Sequence, residues 1–165
     1  MEAGLGIYFG ITMNIETLTK FLNEANKATY ANKNAPKVAP SRLKSEDYHF
    51  EKDGLIYHDT YFGERDFIGE EIVYENEKPV WGANYFGFVL DEKISEKDVY
   101  DFLRKALMQE YNDVIPVRGP TKFSDVEWTY RFTADGGLEN FAGQEEILLN
   151  RKVVYRCMIH GGFIR

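Results

Sequence analysis

Cysteine is almost absent from this chain. Cys157 is the single cysteine among 165 residues, so no disulfide can form within one chain, and stability cannot depend on an oxidising compartment. No run of about 18 apolar residues is present to form a membrane span. The opening residues, MEAGLGIYFGIT, lack the positive segment of a secretory signal. These absences favour a soluble, cytoplasmic protein that does not act at a membrane.

Basic residues are in deficit. The chain has 20 Lys and Arg against 27 Asp and Glu, which gives a formal charge of −7, and it has no run of basic residues. Phosphate backbones repel a negative chain. This composition argues against direct nucleic-acid binding and favours a small polar or cationic ligand.

Familiar catalytic and metal-binding patterns are missing as well. The sequence has no G-x-S-x-G elbow, no Walker A loop and no H-E-x-x-H motif. Its three histidines, His49, His58 and His160, do not stand at zinc-ligand spacing from one another or from Cys157. We therefore expect no metal and no cofactor. The apolar neighbours of Cys157 indicate a packing residue rather than a nucleophile.

What is present is the composition of one folded domain. Apolar residues make up 44% of the sequence and aromatic residues 15%, enough for a substantial core. We assign residues 14–165 to a single α+β domain and residues 1–13 to an N-terminal extension. Met13 is a candidate for the natural start.

Two segments have helical periodicity, and the rest has the period of strands. Asn14 can cap a helix that runs to about Tyr30, and Ser95 can cap a second helix. Elsewhere the apolar period is two, with Gly and Asn turns at hairpin spacing. The predicted strands are residues 48–51, 55–62, 67–75, 79–90, 114–117, 126–134, 140–149 and 152–163. We expect two helices packed on one curved antiparallel sheet, or on two sheets.

The chain also repeats itself. Residues 63–87 align with residues 137–161 at an offset of 74, with eight identities that include Glu71 and Glu145. Chance would give roughly one or two identities in a window of this length. The repeat predicts an internally duplicated fold of two halves, about 14–90 and 95–164, each a helix followed by an antiparallel meander.

Glu71 and Glu145 fall on the more apolar face of their strands. A carboxylate in such a place needs a partner, or burial raises its pKa. Two interpretations stay open. Each glutamate is held internally by an arginine, a tyrosine hydroxyl or backbone amides, or the two acids face a cavity, where they accept hydrogen bonds from a ligand or act as acid and base.

A second candidate cluster lies in the stretch LIYHDTYFG. Alternation puts Tyr57, Asp59 and Tyr61 on one face of a strand, where they offer hydrogen-bond donors and an acceptor beside aromatic rings. That composition is typical of ligand sites. A sheet-edge network, with Asp59 bonded to a neighbouring turn, is the alternative.

Three more residues complete the candidate ligand contacts. Asn84 and His160 lie in the repeated strands near the paired glycines, and a histidine titrates near neutral pH. Arg118, in the motif V-R-G-P, can pair with a buried acid or bind an anionic ligand through its planar guanidinium. A structural role is the alternative for each.

Several short motifs carry a resemblance to a known family. In chain order they are T-Y-A, P-S-R, Y-x-D-T-Y-F-G, F-x-G-E-E, P-V-W-x-x-N-Y-x-G, R-G-P, F-x-G-x-E and H-G-G. Together they resemble the uncharacterised prokaryotic family called domain of unknown function 5680, over about residues 14–164. The chain departs from the family at Glu64 and Ala83, where glycine and methionine are usual. The resemblance implies no established activity, but some relatives are joined to helix-turn-helix domains, which implies a sensing or interaction module.

These observations favour a small-molecule-binding or sensing module over an enzyme. The expected ligand pocket is lined by the candidate residues Tyr57, Asp59, Tyr61, Glu71, Asn84, Arg118, Glu145 and His160. A protein-interaction or dimerisation domain, including a homodimer, is the alternative. An acid–base hydrolase or isomerase would use Glu71 or Glu145 with His160 or Asp59.

Overall fold

The computed structural model of the protein describes residues 13–110 and 115–165, and within these ranges two helices and eight strands follow a simple order. Helix α1 spans Ile15–Ala28 and is followed by β1 (Glu46–Lys52), β2 (Leu55–Gly63), β3 (Asp66–Glu75) and β4 (Lys78–Val89). Helix α2 spans Glu96–Leu107 and is followed by β5 (Lys122–Asp125), β6 (Trp128–Gly137), β7 (Asn140–Leu149) and β8 (Lys152–Phe163). Residues 1–12 of the predicted extension lie outside the described residues.

The eight strands form one antiparallel sheet in the order β1-β2-β3-β4-β8-β7-β6-β5. The four strands after α1 make one side of the sheet, and the four strands after α2 make the other. The two sides meet where β4 pairs with β8 in the middle of the sheet. The predicted α+β class and antiparallel sheet are confirmed, and the strands form one sheet rather than two.

Both helices begin at the predicted caps. The side chain of Asn14 accepts a hydrogen bond from the backbone N–H of Thr17 (3.1 Å), and Ser95 accepts one from Asp98 (3.4 Å). Each helix buries a stripe of residues three and four apart. These residues are Leu18, Phe21, Leu22 and Ala25 in α1, and Val99, Phe102, Leu103, Ala106 and Leu107 in α2.

The strands bury one face of the sheet. Every second residue points toward the helices, and the side chains of Tyr57, Val73, Trp81, Tyr130 and Tyr155 are almost completely buried there. The opposite face is open, and its side chains are mostly exposed or half-buried. No helix among the described residues is long and apolar enough to cross a membrane.

Of the two strands predicted between α2 and β7, the one at residues 114–117 is wrong, and the one at residues 126–134 corresponds to β6 except at its start. Residues 115–117 are not part of a strand, and residue 114 lies outside the described residues. The prediction of a strand that starts at Val126 fails because this β-branched residue is in a turn with a φ of 53°, and its side chain is 96% exposed. The short strand β5 (K-F-S-D) was missed because four residues give too little alternation to detect.

The two sides of the sheet approach closely at Gly161. A Cβ atom at this position would overlap the carbonyl oxygen of Gly82 and would lie 2.8 Å from the Cα of Ala83. Gly161 is therefore the residue that allows β4 and β8 to pair at this point. At Gly137, by contrast, a Cβ would meet only the mobile carboxylate end of the Glu139 side chain.

We expect Gly161→Ala to lower the free energy of unfolding by about 2 kcal/mol or more, because the added methyl group forces the two central strands apart. The matched control is Gly137→Ala, which we expect to change stability little. Urea denaturation of the two variants measures the difference. Equal midpoints for the two variants would show that the central pairing is not tightly packed.

Candidate functional site

A cavity of about 370 Å³ lies between the inner face of β2, β3 and β4 and the two helices. Six aromatic side chains line it: Tyr30, Tyr57, Tyr61, Phe67, Tyr85 and Tyr100. Two buried acids, Asp59 and Glu71, line it as well, and each is 3% exposed. The cavity therefore combines aromatic walls with carboxyl groups that are nearly shielded from water.

Strand pairing brings the two acids together. Alternation along β2 points Tyr57, Asp59 and Tyr61 toward the helices, and β3 points Glu71 to the same side. Asp59 and Glu71 are directly opposite each other in the β2–β3 register. Side chains at such positions have Cβ atoms about 5 Å apart. Two carboxyl groups are thus held side by side in a poorly hydrated site.

Gly69 allows a tyrosine to reach one of these acids. The hydroxyl of Tyr85 donates a hydrogen bond to Oδ1 of Asp59 at 2.5 Å. A Cβ atom at Gly69 would overlap that hydroxyl group and lie 2.6 Å from the carbonyl oxygen of Thr60. The bare backbone of β3 at this point therefore leaves room for Tyr85 to contact Asp59.

Glu71 is incompletely satisfied. Among the described residues, no hydrogen-bond donor is within reach of its buried Oε2 atom. Burial and the charge of Asp59 raise the pKa of Glu71 from its ordinary value of 4.5 to about 8, against the opposing effects of Arg118 and a hydrogen bond from Tyr57. Glu71 therefore holds a proton at neutral pH.

Asp59 differs from Glu71 in its partner, because the hydroxyl of Tyr85 donates to it at 2.5 Å. Burial raises the pKa of Asp59 to about 6, whereas the hydrogen bond from Tyr85 and the charge of Arg118 oppose this increase. At neutral pH the negative charge of the pair therefore lies on Asp59 and the shared proton on Glu71. One acid can accept hydrogen bonds as an anion, and the other can release a proton.

Glu145, the counterpart of Glu71 in the repeat, is fully engaged. Nε and Nη2 of Arg118 each donate to one of its carboxylate oxygens at 2.8 Å. The hydroxyls of Tyr130 and Tyr155 donate at 2.7 and 2.9 Å. Glu145 is completely buried, so this network keeps its charge inside the protein. Of the two interpretations left open by the sequence, the internal one describes Glu145, and Glu71 faces the cavity.

The predicted site residues separate into two groups. Tyr57, Asp59, Tyr61, Glu71 and Arg118 line the cavity, and Glu145 contacts it only through Arg118. The other group lies on the opposite face of the sheet.

Asn84 and His160 are paired in the β4–β8 register and are exposed on the open face. A single pocket that includes these two residues is therefore ruled out, because alternation turns them away from the neighbouring inward residues Ala83 and Tyr85. An acid–base pair of Glu71 or Glu145 with His160 has no common site for the same reason.

Sequence reasoning missed part of the cavity wall. Tyr85 could have been identified, because it alternates with Asn84 along β4 and so shares the inner face. Tyr30 and Tyr100 carry no such signal, since they flank the apolar stripes of the helices and only packing decides which way they point. Arg104 was also missed, and its guanidinium carbon is 4.6 Å from the centre of the Tyr30 ring.

Another buried acid anchors a loop outside the cavity. Asp47 interacts with the hydroxyls of Ser41 (2.6 Å), Ser45 (2.5 Å) and Thr60 (2.8 Å) and with Nε2 of His58 (2.7 Å). Burial disfavours the charge, but these four hydrogen bonds outweigh it and hold the pKa of Asp47 well below its usual range. This cluster binds the loop before β1 to the sheet and leaves no acceptor oxygen without a partner.

Cys157 is completely buried, which confirms the prediction of a packing residue. Burial raises the pKa of its thiol to about 12, so the reactive thiolate is not formed near neutral pH. In the described part of the chain, no three His, Cys, Asp or Glu side chains are grouped as metal ligands would be.

Replacing each of the two equivalent glutamates by glutamine should change the stability of the protein in opposite directions. Folded Glu71 keeps its proton up to pH about 8, whereas unfolded Glu71 loses it near pH 4.5, so wild-type stability falls as the pH rises between these values. We expect the Glu71→Gln variant to lack this pH-dependent loss. At pH 8.5 its free energy of unfolding should exceed that of the wild type by on the order of 3 kcal/mol.

Glu145→Gln is the matched control. This change leaves the buried Arg118 without its counter-charge, and we expect it to lower stability by about 3 to 5 kcal/mol at every pH where the wild type is folded. Chemical denaturation of the three proteins between pH 5 and 8.5 measures both effects. A constant difference between Glu71→Gln and wild type across this range would contradict the raised pKa of Glu71.

Comparison with known proteins gives one match. The family described as Domain of unknown function (DUF5680) matches residues 59–164, a segment that contains β3, β4, α2, the whole second side of the sheet and most of the cavity acids. No curated protein and no solved structure matches the chain. The resemblance indicated by the short motifs is confirmed, and because the match spans well over half of the chain, the protein belongs to this family of unknown function.

Proposed function

We propose that this domain is a small-molecule-binding or sensing module whose ligand occupies the cavity between β2–β4 and the two helices. The observation that carries the proposal is the buried Oε2 atom of Glu71, which has no donor among the described residues and lines that cavity. A buried acceptor without a partner is costly, and a ligand that donates to it would recover the lost hydrogen bond.

The dimensions and lining of the cavity support this role. A volume of about 370 Å³ is within the usual range for sites that hold small organic molecules. Aromatic walls offer contact area to an apolar or planar ligand body, and the buried acids Asp59 and Glu71 can fix its orientation. Where in the cell the domain acts stays a prediction, with the cytoplasm as the expected site.

We also infer that the two helix-plus-meander halves arose by duplication of one unit. The eight identities at an offset of 74 and the symmetric strand order support this inference. After such a duplication the halves have diverged in one important respect. Arg118 occupies the space beside Glu145, whereas the space beside Glu71 is a cavity. The predicted curvature of the sheet stays a prediction.

A thermal-shift screen of metabolites tests the binding role. A ligand at about 100 times its Kd should stabilise the folded state by roughly 2.7 kcal/mol, which raises the Tm by about 5 to 10 °C for a chain of this size. We expect Tyr61→Leu, in the cavity wall, to reduce the shift given by any hit. The control is Tyr74→Leu on the outer face of β3, which should leave the shift intact.

Two results would contradict the binding role. One is a screen in which no compound stabilises the protein while a crystal structure shows the cavity filled by side chains. The other is a set of hits whose shifts respond equally to Tyr61→Leu and Tyr74→Leu.

The open face of the sheet supports a second candidate function, self-association. Ile68, Phe86 and Met158 lie next to one another across β3, β4 and β8, and they are 56%, 42% and 40% exposed. The ring of Phe88 is 5.5 Å from that of Phe86 and extends this apolar row. A row of apolar side chains across the centre of an open sheet can bury its area against a second copy.

Sedimentation at several protein concentrations tests self-association. We expect the wild type to form dimers as the concentration increases, and the double variant Phe86→Ser with Met158→Ser to remain monomeric. Leu43→Ser is the control, because Leu43 is also apolar and 89% exposed but lies in the loop before β1. A wild-type protein that stays monomeric at every concentration rules out this second function.

A further inference from the structure

Building on the binding role proposed above, we propose that the cavity ligand is an organic cation whose protonated amine or guanidinium group binds Glu71 as Arg118 binds Glu145. The ligand would place its charged group against the two acids and its apolar body against the aromatic walls. Binding would release the proton that Glu71 holds in the free protein.

The second half of the chain already contains this arrangement. Glu145 accepts hydrogen bonds from a guanidinium group and from the hydroxyl of Tyr130 on the neighbouring strand. Tyr57 has the corresponding position on β2, because Tyr57 and Tyr130 each stand two residues before the residue paired with the glutamate. Glu71 therefore has the counterpart of one of these donors, the tyrosine, but no guanidinium group among the described residues donates to its Oε2 atom.

The first half has no arginine at the corresponding place. The strand registers place Ser45 at the position of Arg118, and Arg42 stands three residues earlier. Arg42 forms its ion pair with Glu70, which is on the opposite face of β3 from Glu71. At the position of Tyr155, the first half has Trp81, whose Nε1 donates to the carbonyl oxygen of Leu138 rather than to a carboxylate.

The charges around the cavity favour a cation over an anion. The lining has six acidic and four basic side chains. Lys37 pairs with Glu46 and Lys97 pairs with Asp101, each at 2.6 Å. The two remaining bases are Arg118, paired with Glu145, and Arg104, which lies over the Tyr30 ring.

In contrast, the buried acid Asp59 accepts a hydrogen bond from a neutral hydroxyl, that of Tyr85. An incoming anion would be repelled by Asp59, whereas a cation would be attracted by Asp59 and by the faces of the surrounding rings.

The proton balance of the binding step follows from the groups that face Glu71. They come from five elements: Asp59 and Tyr57 on β2, Tyr85 on β4, Cys157 on β8, Glu145 on β7, and Arg118 in the connection before β5. Helix α2 adds Tyr100 and Arg104 to the cavity wall. When the cation binds, the Glu71 carboxylic acid becomes a carboxylate paired with it, and its proton leaves to solvent.

Titration calorimetry with three matched probes tests the inference. Benzylguanidine is the cation, benzylurea is its neutral isostere, and phenylacetate is an anion of similar size. We expect benzylguanidine to bind at least about tenfold more tightly than benzylurea, because a charge-assisted hydrogen bond replaces a neutral one. We expect no binding of phenylacetate.

The number of protons released is the second readout. Titrations at pH 7 in phosphate and in Tris, which differ in ionisation enthalpy, should show close to one proton released per benzylguanidine, because Glu71 titrates near pH 8. Its affinity should rise by roughly a hundredfold between pH 6 and 9 and then level off. Glu71→Gln should abolish proton release and the preference over benzylurea, whereas Glu64→Gln, an acid at the cavity rim, should keep both.

The outcomes separate this inference from the binding role itself. If benzylurea binds as tightly as benzylguanidine, or if Glu71→Gln leaves proton release unchanged, the cation inference is wrong while the cavity remains a binding site. If none of the three probes binds, the cation inference is likewise wrong, and the metabolite screen described above decides the binding role. Circular dichroism of Glu71→Gln confirms that any loss is not due to unfolding.

Discussion

The bidentate contact between Arg118 and Glu145 determines how the interior of this domain is organised. It brings a residue from the connection before β5 between the helices and the sheet, and it holds a full charge pair away from water. Such a pair is stable only when its geometry is good and its remaining hydrogen bonds are made, and the hydroxyls of Tyr130 and Tyr155 make them. Arg118 fills the space beside Glu145, whereas the cavity lies beside Glu71 on the first side of the sheet.

Four acids are buried among the described residues, and they differ in their partners. Hydroxyl groups and a histidine stabilise the charge of Asp47, an arginine and two tyrosines stabilise that of Glu145, and Asp59 accepts a hydrogen bond from Tyr85. Glu71 has none of these sets of partners, and its environment favours the protonated form of its carboxyl group. Among the described residues, Oε2 of Glu71 is the one buried side-chain N or O atom that lacks a hydrogen-bond partner, and it belongs to a residue that lines the cavity. Departures of this kind are expected where a ligand completes the structure.

Local signals predicted much of the fold, but the site depends on long-range contacts. Caps at Asn14 and Ser95 and the alternation along β7 and β8 are local properties, and they were read correctly from the sequence. The prediction that Asn84 and His160 share a pocket with Glu71 failed, because a period of two does not tell which face of a strand the helices will cover. The partner of Arg118 is 27 positions away in the chain, so only the folded protein could decide between Glu71, Glu145 and a ligand.

The ends of the sheet limit how this protein can meet other proteins. An eight-stranded open sheet has two edge strands, β1 and β5, whose free backbone groups are a template for pairing with further strands. Strand β5 has only four residues, and β1 is partly covered where Val38 bridges to Asp47, in the loop fixed by the hydroxyl cluster. Both edges are therefore poor templates for strand addition, which protects an aromatic-rich sheet from aggregation and leaves its open face as the surface that a partner could contact.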